Sequence, residues 1–256
     1  MFVQVGNSDV DNAYWYGLTL HPTHILTDRG GDQDIPSPRT AYPVNSSAPG
    51  TDVWASAAAA FAMASFLYSP NTTYNATSSS SPPTSPSLAN ATYSSALLEH
   101  AVTLYRTANE TSPMATFADS VPAVASAYGS SGWGESLALG ALALALTTND
   151  SAYYADAHQY YASYRLTGHN RPWNWDSHTP ALYVLFAEAS IARPGLAIGA
   201  GLDVNVTGWQ NEAEAYFDRM LGGTMANARM TDGQWLQVAG AARLATYLRR
   251  SDLLGW

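Results

Sequence analysis

The sequence predicts an all-α chain built from antiparallel helix pairs, and three observations lead there. Apolar residues recur at helical spacing in long runs, such as residues 53–67 and 137–146. Short polar breaks suited to helix ends separate the runs, as at Thr147-Thr-Asn-Asp150. No convincing alternation of period two marks a series of strands. Paired helices joined by loops rich in Trp, Tyr, Gly and Asp suggest an α/α toroid, with a helical wall and a site in the loops of one rim. Periodicity alone leaves an α-solenoid open.

Taken in order, residues 1–50 read as loop, punctuated by Gly6, Gly30, Gly31, Pro22, Pro36, Pro38, Pro43 and Pro49. A first helix begins after Pro49-Gly50, where Thr51 or Asp52 can cap its free amides, and it carries the apolar run to Leu67. Residues 69–92 form a Ser/Thr/Pro insert that cannot bury enough apolar surface to order itself. A helix over about 93–108 follows, with Leu97, Leu98, Ala101, Leu104 and Tyr105 at helical spacing. The next runs from Gly134 to Leu146, and Ser151 caps its partner over about 152–165, giving an αα-hairpin. Helices over about 178–191, 208–221 and 233–250 complete the set, the last with Leu236, Ala239, Ala242, Ala245 and Leu248 on overlapping apolar faces. The 256 residues, 46% hydrophobic, are read as one domain.

Charge and composition exclude several classes of function. A net charge of -9, with Arg as the sole strongly basic residue type, argues against a nucleic-acid partner, because phosphates need Lys or Arg. No apolar run approaches the length of a membrane span. The absence of cysteine removes disulfides and thiolate metal sites. Eight Trp and 16 Tyr at 12% charged residues suit a neutral ligand held by stacking and hydroxyl hydrogen bonds, such as a polysaccharide. Seven N-glycosylation acceptor patterns, at Asn45, Asn71, Asn75, Asn90, Asn109, Asn149 and Asn205, point to secretion, although no signal peptide opens the chain.

Five segments carry a resemblance, in order. Phe2-Val-Gln-Val-Gly6 with Asp9, Asp11 and Trp15 resembles "YVQVGDGDADH..W". Ser37-Pro-Arg-Thr-Ala-Tyr42 with Pro49-Gly-Thr-Asp-Val53 resembles "PRTVY...PGSDVA". Ser131-Gly-Trp-Gly-Glu-Ser-Leu137 is similar to "SGYQDEL", and Trp173-Asn-Trp-Asp176 leading to Glu188 is similar to "FSWDNK...VLLAK". Thr231-Asp-Gly-Gln-Trp235 before a small-residue helix resembles "TPGGLL...WGSLRYAANAAF". Each motif alone is weak, and their shared order is what makes them specific. On them the chain resembles family 9 of the glycoside hydrolases, the cellulase or endoglucanase type.

The resemblance implies an incomplete (α/α)6 six-hairpin toroid and hydrolysis of β-1,4-glucosidic bonds in cellulose or related β-glucans, with inversion. Inversion needs one carboxylic acid to protonate the leaving oxygen and one carboxylate base to activate water. In the family the base lies in a "DAGD" motif and the acid is a Glu near the domain's end. Neither motif occurs in this sequence. The expectation is therefore a secreted, monomeric fragment, inactive alone and marginally stable because missing helices would leave apolar faces uncovered. The alternative is a non-catalytic glucan-binding or vestigial protein of the same architecture. Another α/α-toroid enzyme, such as a polysaccharide lyase, would share the helix pattern but not the motifs.

The candidate substrate-binding residues are Trp15, Trp133, Trp173, Trp175 and Trp235, whose flat rings can stack on the apolar face of a glucose unit, with Arg39, which could bind sugar or brace its loop, and Asp176. A single aromatic is more often core, but Trp15, Trp133 and Trp235 sit in loops or at helix starts and are read toward the cleft, Trp175 could equally be a buried anchor, and Trp54, Trp209 and Trp256 are assigned to packing. Asp176 could instead cap the helix that follows it, and Asp52 is read as a cap. The resemblance requires no cofactor and admits a structural Ca²⁺ between Glu135 and Asp176, although Ser136 replaces one acidic ligand. Asn12 stands where the family has a His. His21 and His24 flank Pro22 with no third ligand nearby, so zinc is set aside, while His169 and His178 flank the Trp173–Asp176 loop and could line the cleft.

Overall fold

The computed structural model describes residues 1–7, 10, 39–70, 88–125 and 128–225. The predicted helix over 233–250 and most of the Ser/Thr/Pro insert lie outside these residues. Residues 1–50 were expected to be loop, yet a short ribbon forms in them: β1 (Phe2–Val5) pairs antiparallel with β2 (Ala41–Pro43). Four and three residues are too few for an alternating pattern to show. Backbone pairing carries the ribbon, continued by Gly6 N to Thr40 O at 2.7 Å and Val44 N to Met1 O at 2.8 Å.

The helices follow as α1 (Thr51–Tyr68), α2 (Ala91–Glu110), α3 (Phe117–Ser120), α4 (Pro122–Ala125), α5 (Gly134–Thr148), α6 (Ser151–Ser163), α7 (Thr179–Ala192), α8 (Pro194–Gly199) and α9 (Val206–Leu221). Several ends differ from the sequence reading, each for a local reason. Gly50, not Thr51 or Asp52, is the N-cap residue of α1, because a Cβ there would meet Val44 Cγ1 at 2.8 Å. Asn90 caps α2 by accepting from Tyr93 N, so the last two residues of the supposed insert are already helical. Asn149 closes α5 in the left-handed region at φ 58°, and Asp150 rather than Ser151 caps α6 by accepting from Ala152 N at 2.8 Å.

Alpha-helix α5 is the centre of the core. Its residues from Ser136 to Leu146 are buried on every face, which an amphipathic surface helix would not allow. Alternation of Leu with Ala and Gly fits this position, because small residues admit neighbouring helices. Gly140 lies against the carbonyl of Ala55, and Thr147 Oγ1 donates to Ala62 O at 3.0 Å. On the far side Phe186 stacks on Trp209 with ring centroids 4.2 Å apart, and Tyr154 and Tyr161 meet Phe186 edge-on. Trp54 and Trp209, assigned to packing, are buried.

Pairwise contacts fix the helix directions. Ser65 of α1 bonds to Ser94 of α2, and Thr51 N donates to Ala115 O, so these two helices are antiparallel. Ser56 meets Ser136 at 3.1 Å and Thr147 meets Ala62, so α1 and α5 run the same way. Glu135 reaches Thr179 N while Arg193 Nη1 reaches Leu146 O, making α7 parallel to α5. Tyr183 packs on Tyr216, and Phe186 on Trp209, so α9 is antiparallel to α7. The N-termini of α1, α5 and α7 thus share one rim with the C-termini of α2, α6 and α9. The opposite rim carries the N-termini of α2, α6 and α9.

Candidate functional site

The rim that gathers the N-termini of α1, α5 and α7 opens into a cleft of about 440 Å³. Asp52, Val53, Ser56 and Ala57 come from α1, Phe117 from α3, Ser136 from α5, and Tyr128, Ser130 and Gly132 from the loop before α5. Met1 and the loop residues Trp175, Asp176 and His178 close the circle.

The Trp175–Asp176 loop is a tight turn. Asn174 and Ser177 pair through both backbone groups, and Asn174 Oδ1 accepts the amide of Asp176 at 2.8 Å. This places Trp175 and Asp176 at the tip. Trp175 Nε1 donates to Gly129 O at 3.1 Å, and Tyr128 meets the indole edge-on at a centroid distance of 5.5 Å. Both rings are otherwise open, Trp175 at 60% and Tyr128 at 57% exposure. Two exposed aromatic rings beside a cleft lined with Ser, Asp and His side chains suit a ligand with apolar faces and many hydroxyls.

The carboxylates lining the cleft are engaged in holding the loops. Asp52 accepts from Phe117 N at 2.9 Å and from Ser130 Oγ at 2.5 Å, so from the first turn of α1 it also braces α3 and the α5 approach. Burial pushes the Asp52 carboxyl above its ordinary range despite those bonds. Asp176 Oδ1 accepts from Ser131 N at 2.5 Å, and Arg171 stands 3.9 Å from its other oxygen. It therefore ties two loops together and does not cap α7.

Glu135 serves α7 in place of Asp176. Its Oε2 accepts the amides of His178 and Thr179, each at 2.8 Å, and the Thr179 hydroxyl as well. The pair proposed for Ca²⁺ is thus occupied by amide and hydroxyl donors on different segments. No group of three or more His, Asp or Glu that could hold a metal ion occurs among the described residues.

His178 lines the cleft with its Nδ1 buried and unpartnered. Burial lowers its pKa, opposed by the negative charge of Glu135, Asp176 and Asp52, so the ring is disposed to be neutral and able to accept or donate one hydrogen bond. His169 lies elsewhere, with Nδ1 at 3.2 Å from Thr179 Oγ1.

Of the sequence candidates, the cleft brings together Trp175 and Asp176. Trp133 sits half-buried at the start of α5, packed against the core, with Nε1 donating to Tyr164 OH at 2.9 Å. Trp173 is 51% exposed but is not part of the cleft lining. Arg39 is exposed and donates to Val5 O at 3.3 Å, bracing β1. Trp15 and Trp235 lie outside the described residues. Tyr128, Ser130 and Ser56 were not foreseen; a Tyr in the Gly/Ser-rich run just before the Ser131-Gly-Trp motif was the available signal for the first two.

Comparison with known proteins gives this arrangement a context. The family model "Glycosyl hydrolase family 9" matches residues 1–251. Endoglucanase 2 of Arabidopsis thaliana is 25% identical over 240 residues, 93% of this chain and 39% of that protein. Endoglucanase 14 of Oryza sativa subsp. japonica is 32% identical over 161 residues, 61% of this chain and 24% of that protein. The endoglucanase structure from the termite Nasutitermes takasagoensis aligns at a TM-score of 0.68 and 25% identity, covering 98% of this chain and 49% of that one. The chain therefore spans less than half the length of each of these relatives.

Proposed function

Because the chain belongs to glycosyl hydrolase family 9, we propose that its cleft is the glucan-binding part of an inverting β-1,4-glucanase, acting outside the cell on cellulose or a related polysaccharide. The observation that carries this reading is the exposed Trp175–Tyr128 pair at the lip of a cleft lined by Ser56, Ser130, Asp176 and His178. An indole can lie on the apolar face of a glucose ring while hydroxyl groups and the neutral imidazole meet its edge.

The reading divides the labour. Inversion needs an acid and a base with room between them for water. Asp52 is 5% exposed and accepts hydrogen bonds from Phe117 and Ser130, and Asp176 is tied to Ser131, so the two carboxylates that line the cleft among the described residues have structural duties. With neither family acid motif in the sequence, this 256-residue chain binds glucan without cleaving it. The bond-breaking carboxylates of the family reading belong to segments this sequence does not contain.

Pull-down on insoluble cellulose, run beside reducing-end release from a soluble substituted cellulose, tests both halves. Binding at micromolar protein with no release supports the reading. Release above a heat-killed control would place a working acid–base pair in the chain, and absence of binding would remove the glucan assignment. The same outcome of binding without release also fits a glucan-binding protein with no catalytic counterpart. Adding back a segment bearing the two family motifs separates them, since activity is restored in the first case alone.

A further inference from the structure

The acceptor patterns for N-glycosylation are distributed unevenly over the two rims. Asn90 begins α2, Asn149 closes α5, and Asn205 precedes α9. All three helix ends lie on the rim opposite the cleft, as the Ser65–Ser94, Thr147–Ala62 and Phe186–Trp209 contacts require. All three asparagines are exposed. The remaining described acceptors, Asn45 and Asn109, lie toward the cleft end, before α1 and at the end of α2.

The local geometry sets Asn109 apart from the three. Asn90 uses Oδ1 to accept from Tyr93 N at 3.0 Å, which leaves its amide nitrogen outside the cap. Asn149 and Asn205 sit in the left-handed region, at φ 58° and 45°, so each stands at a sharp change of chain direction. The Asn205 amide lies against Gly208, where a Cβ would stand 2.4 Å from Nδ2, so a glycan there requires the side chain to turn outward. Asn109 differs: it is half-buried within α2, and its Oδ1 accepts the hydroxyl of Tyr160 from α6. A bulky hydrated glycan on Asn109 would have to leave through the α2–α6 contact. Asn45 is exposed, and its Oδ1 accepts from Ser47 N at 2.9 Å, Ser47 Oγ at 2.7 Å and Ala48 N at 3.1 Å, which leaves its amide nitrogen outside the turn as at Asn90.

We infer that Asn90, Asn149 and Asn205 are N-glycan attachment sites that clothe the rim away from the cleft, while Asn109, held in the α2–α6 contact, stays bare. This rests on the secreted location proposed above. In the transfer, the Asn amide nitrogen forms a bond to the anomeric carbon of an oligosaccharide carried on a lipid pyrophosphate. The bond from that carbon to the pyrophosphate oxygen breaks, the lipid pyrophosphate leaves with the electron pair, and the amide gives up one proton.

The test directs the full chain, behind an added cleavable leader, into the secretory pathway of a eukaryotic cell. Each acceptor's occupancy is then read from the Asn-to-Asp conversion left by enzymatic glycan release. Occupancy is expected to be at least severalfold higher at Asn90, Asn149 and Asn205 than at Asn109, with cellulose binding unchanged on release. Equal occupancy at Asn109, no occupancy at the three in protein recovered from the medium, or a severalfold gain in binding on glycan removal would overturn the inference. Absence of cellulose binding before and after release, with the occupancy pattern intact, would sink the glucan reading and leave this one standing.

Discussion

Glu135 closes a helix it does not belong to: from the first turn of α5 its Oε2 accepts the amide of Thr179, at the start of α7, at 2.8 Å. The same oxygen takes His178 N and the Thr179 hydroxyl, so one carboxylate satisfies donors that the α7 N-terminus would otherwise leave open. A negative charge there also meets the positive end of the helix dipole. Through this contact the wall of the toroid sets the position of His178 in the cleft.

Glu135→Ala should therefore destabilise the fold by about 1–3 kcal/mol, the range for removing a charged acceptor from buried amides. Glu135→Gln, which keeps an acceptor without the charge, should lose about half as much. Urea unfolding midpoints at constant slope report both values. Equal midpoints for all three proteins would show that the contact carries no stability.

Asp52 makes a prediction of sign. Burial holds its folded-state pKa above the unfolded value of 3.8, so the unfolded chain releases this proton first as pH rises. The stability it contributes is full below that value and is lost on the way up through the folded-state pKa. Wild type minus Asp52→Asn should thus fall in stability between pH 3 and pH 7, a trend that paired denaturant titrations follow. A difference that rises across that window would mean that the hydrogen bonds from Ser130 and Phe117 outweigh burial.

What was legible in the sequence followed from how local each cause is. The long helices were legible because Leu, Ala and Tyr at helical spacing create their own signal. Even α5, whose Leu-Ala alternation imitates a strand, is resolved by the helix propensity of both residues. The bracing role of Asp52 was not legible because its partner, Phe117, is 65 residues away, beyond the reach of any local rule. Tyr128 was missed for the same reason, since the ring it meets belongs to Trp175 on another loop. The place of Trp175 and Asp176 beside the cleft was legible because the Trp-Asn-Trp-Asp motif marks their loop directly.

Trp175→Ala should weaken cellulose binding roughly tenfold, about 1.4 kcal/mol, because it removes one face of the aromatic lip. At 60% exposure its loss should shift stability by no more than about 1 kcal/mol. Trp173→Ala is the internal control, as its ring is similarly exposed but does not line the cleft. Depletion isotherms on cellulose separate the two. Equal weakening by both variants would point to a diffuse aromatic surface instead of a defined cleft.

Gly140 tests whether the core owes its geometry to small residues. It lies midway along α5, where a Cβ would stand 2.9 Å from the Ala55 carbonyl oxygen and 3.2 Å from Tyr105 Cδ2. Neither neighbour can yield cheaply. Ala55 O is backbone of α1, and Tyr105 is buried with its hydroxyl donating to Asp156 at 3.0 Å. In an open helix Gly→Ala would gain about 1 kcal/mol from helix propensity. Here the overpacking cost of about 1–3 kcal/mol opposes that gain, and backbone contact puts it at the upper end. Gly140→Ala is therefore expected to lower the unfolding free energy by about 1–2 kcal/mol net, and Gly140→Val by more, because its two methyl groups meet the same wall. A thermal or urea midpoint that rises with Gly140→Ala would mean that α1 and α5 stand farther apart than the Gly140–Ala55 approach indicates.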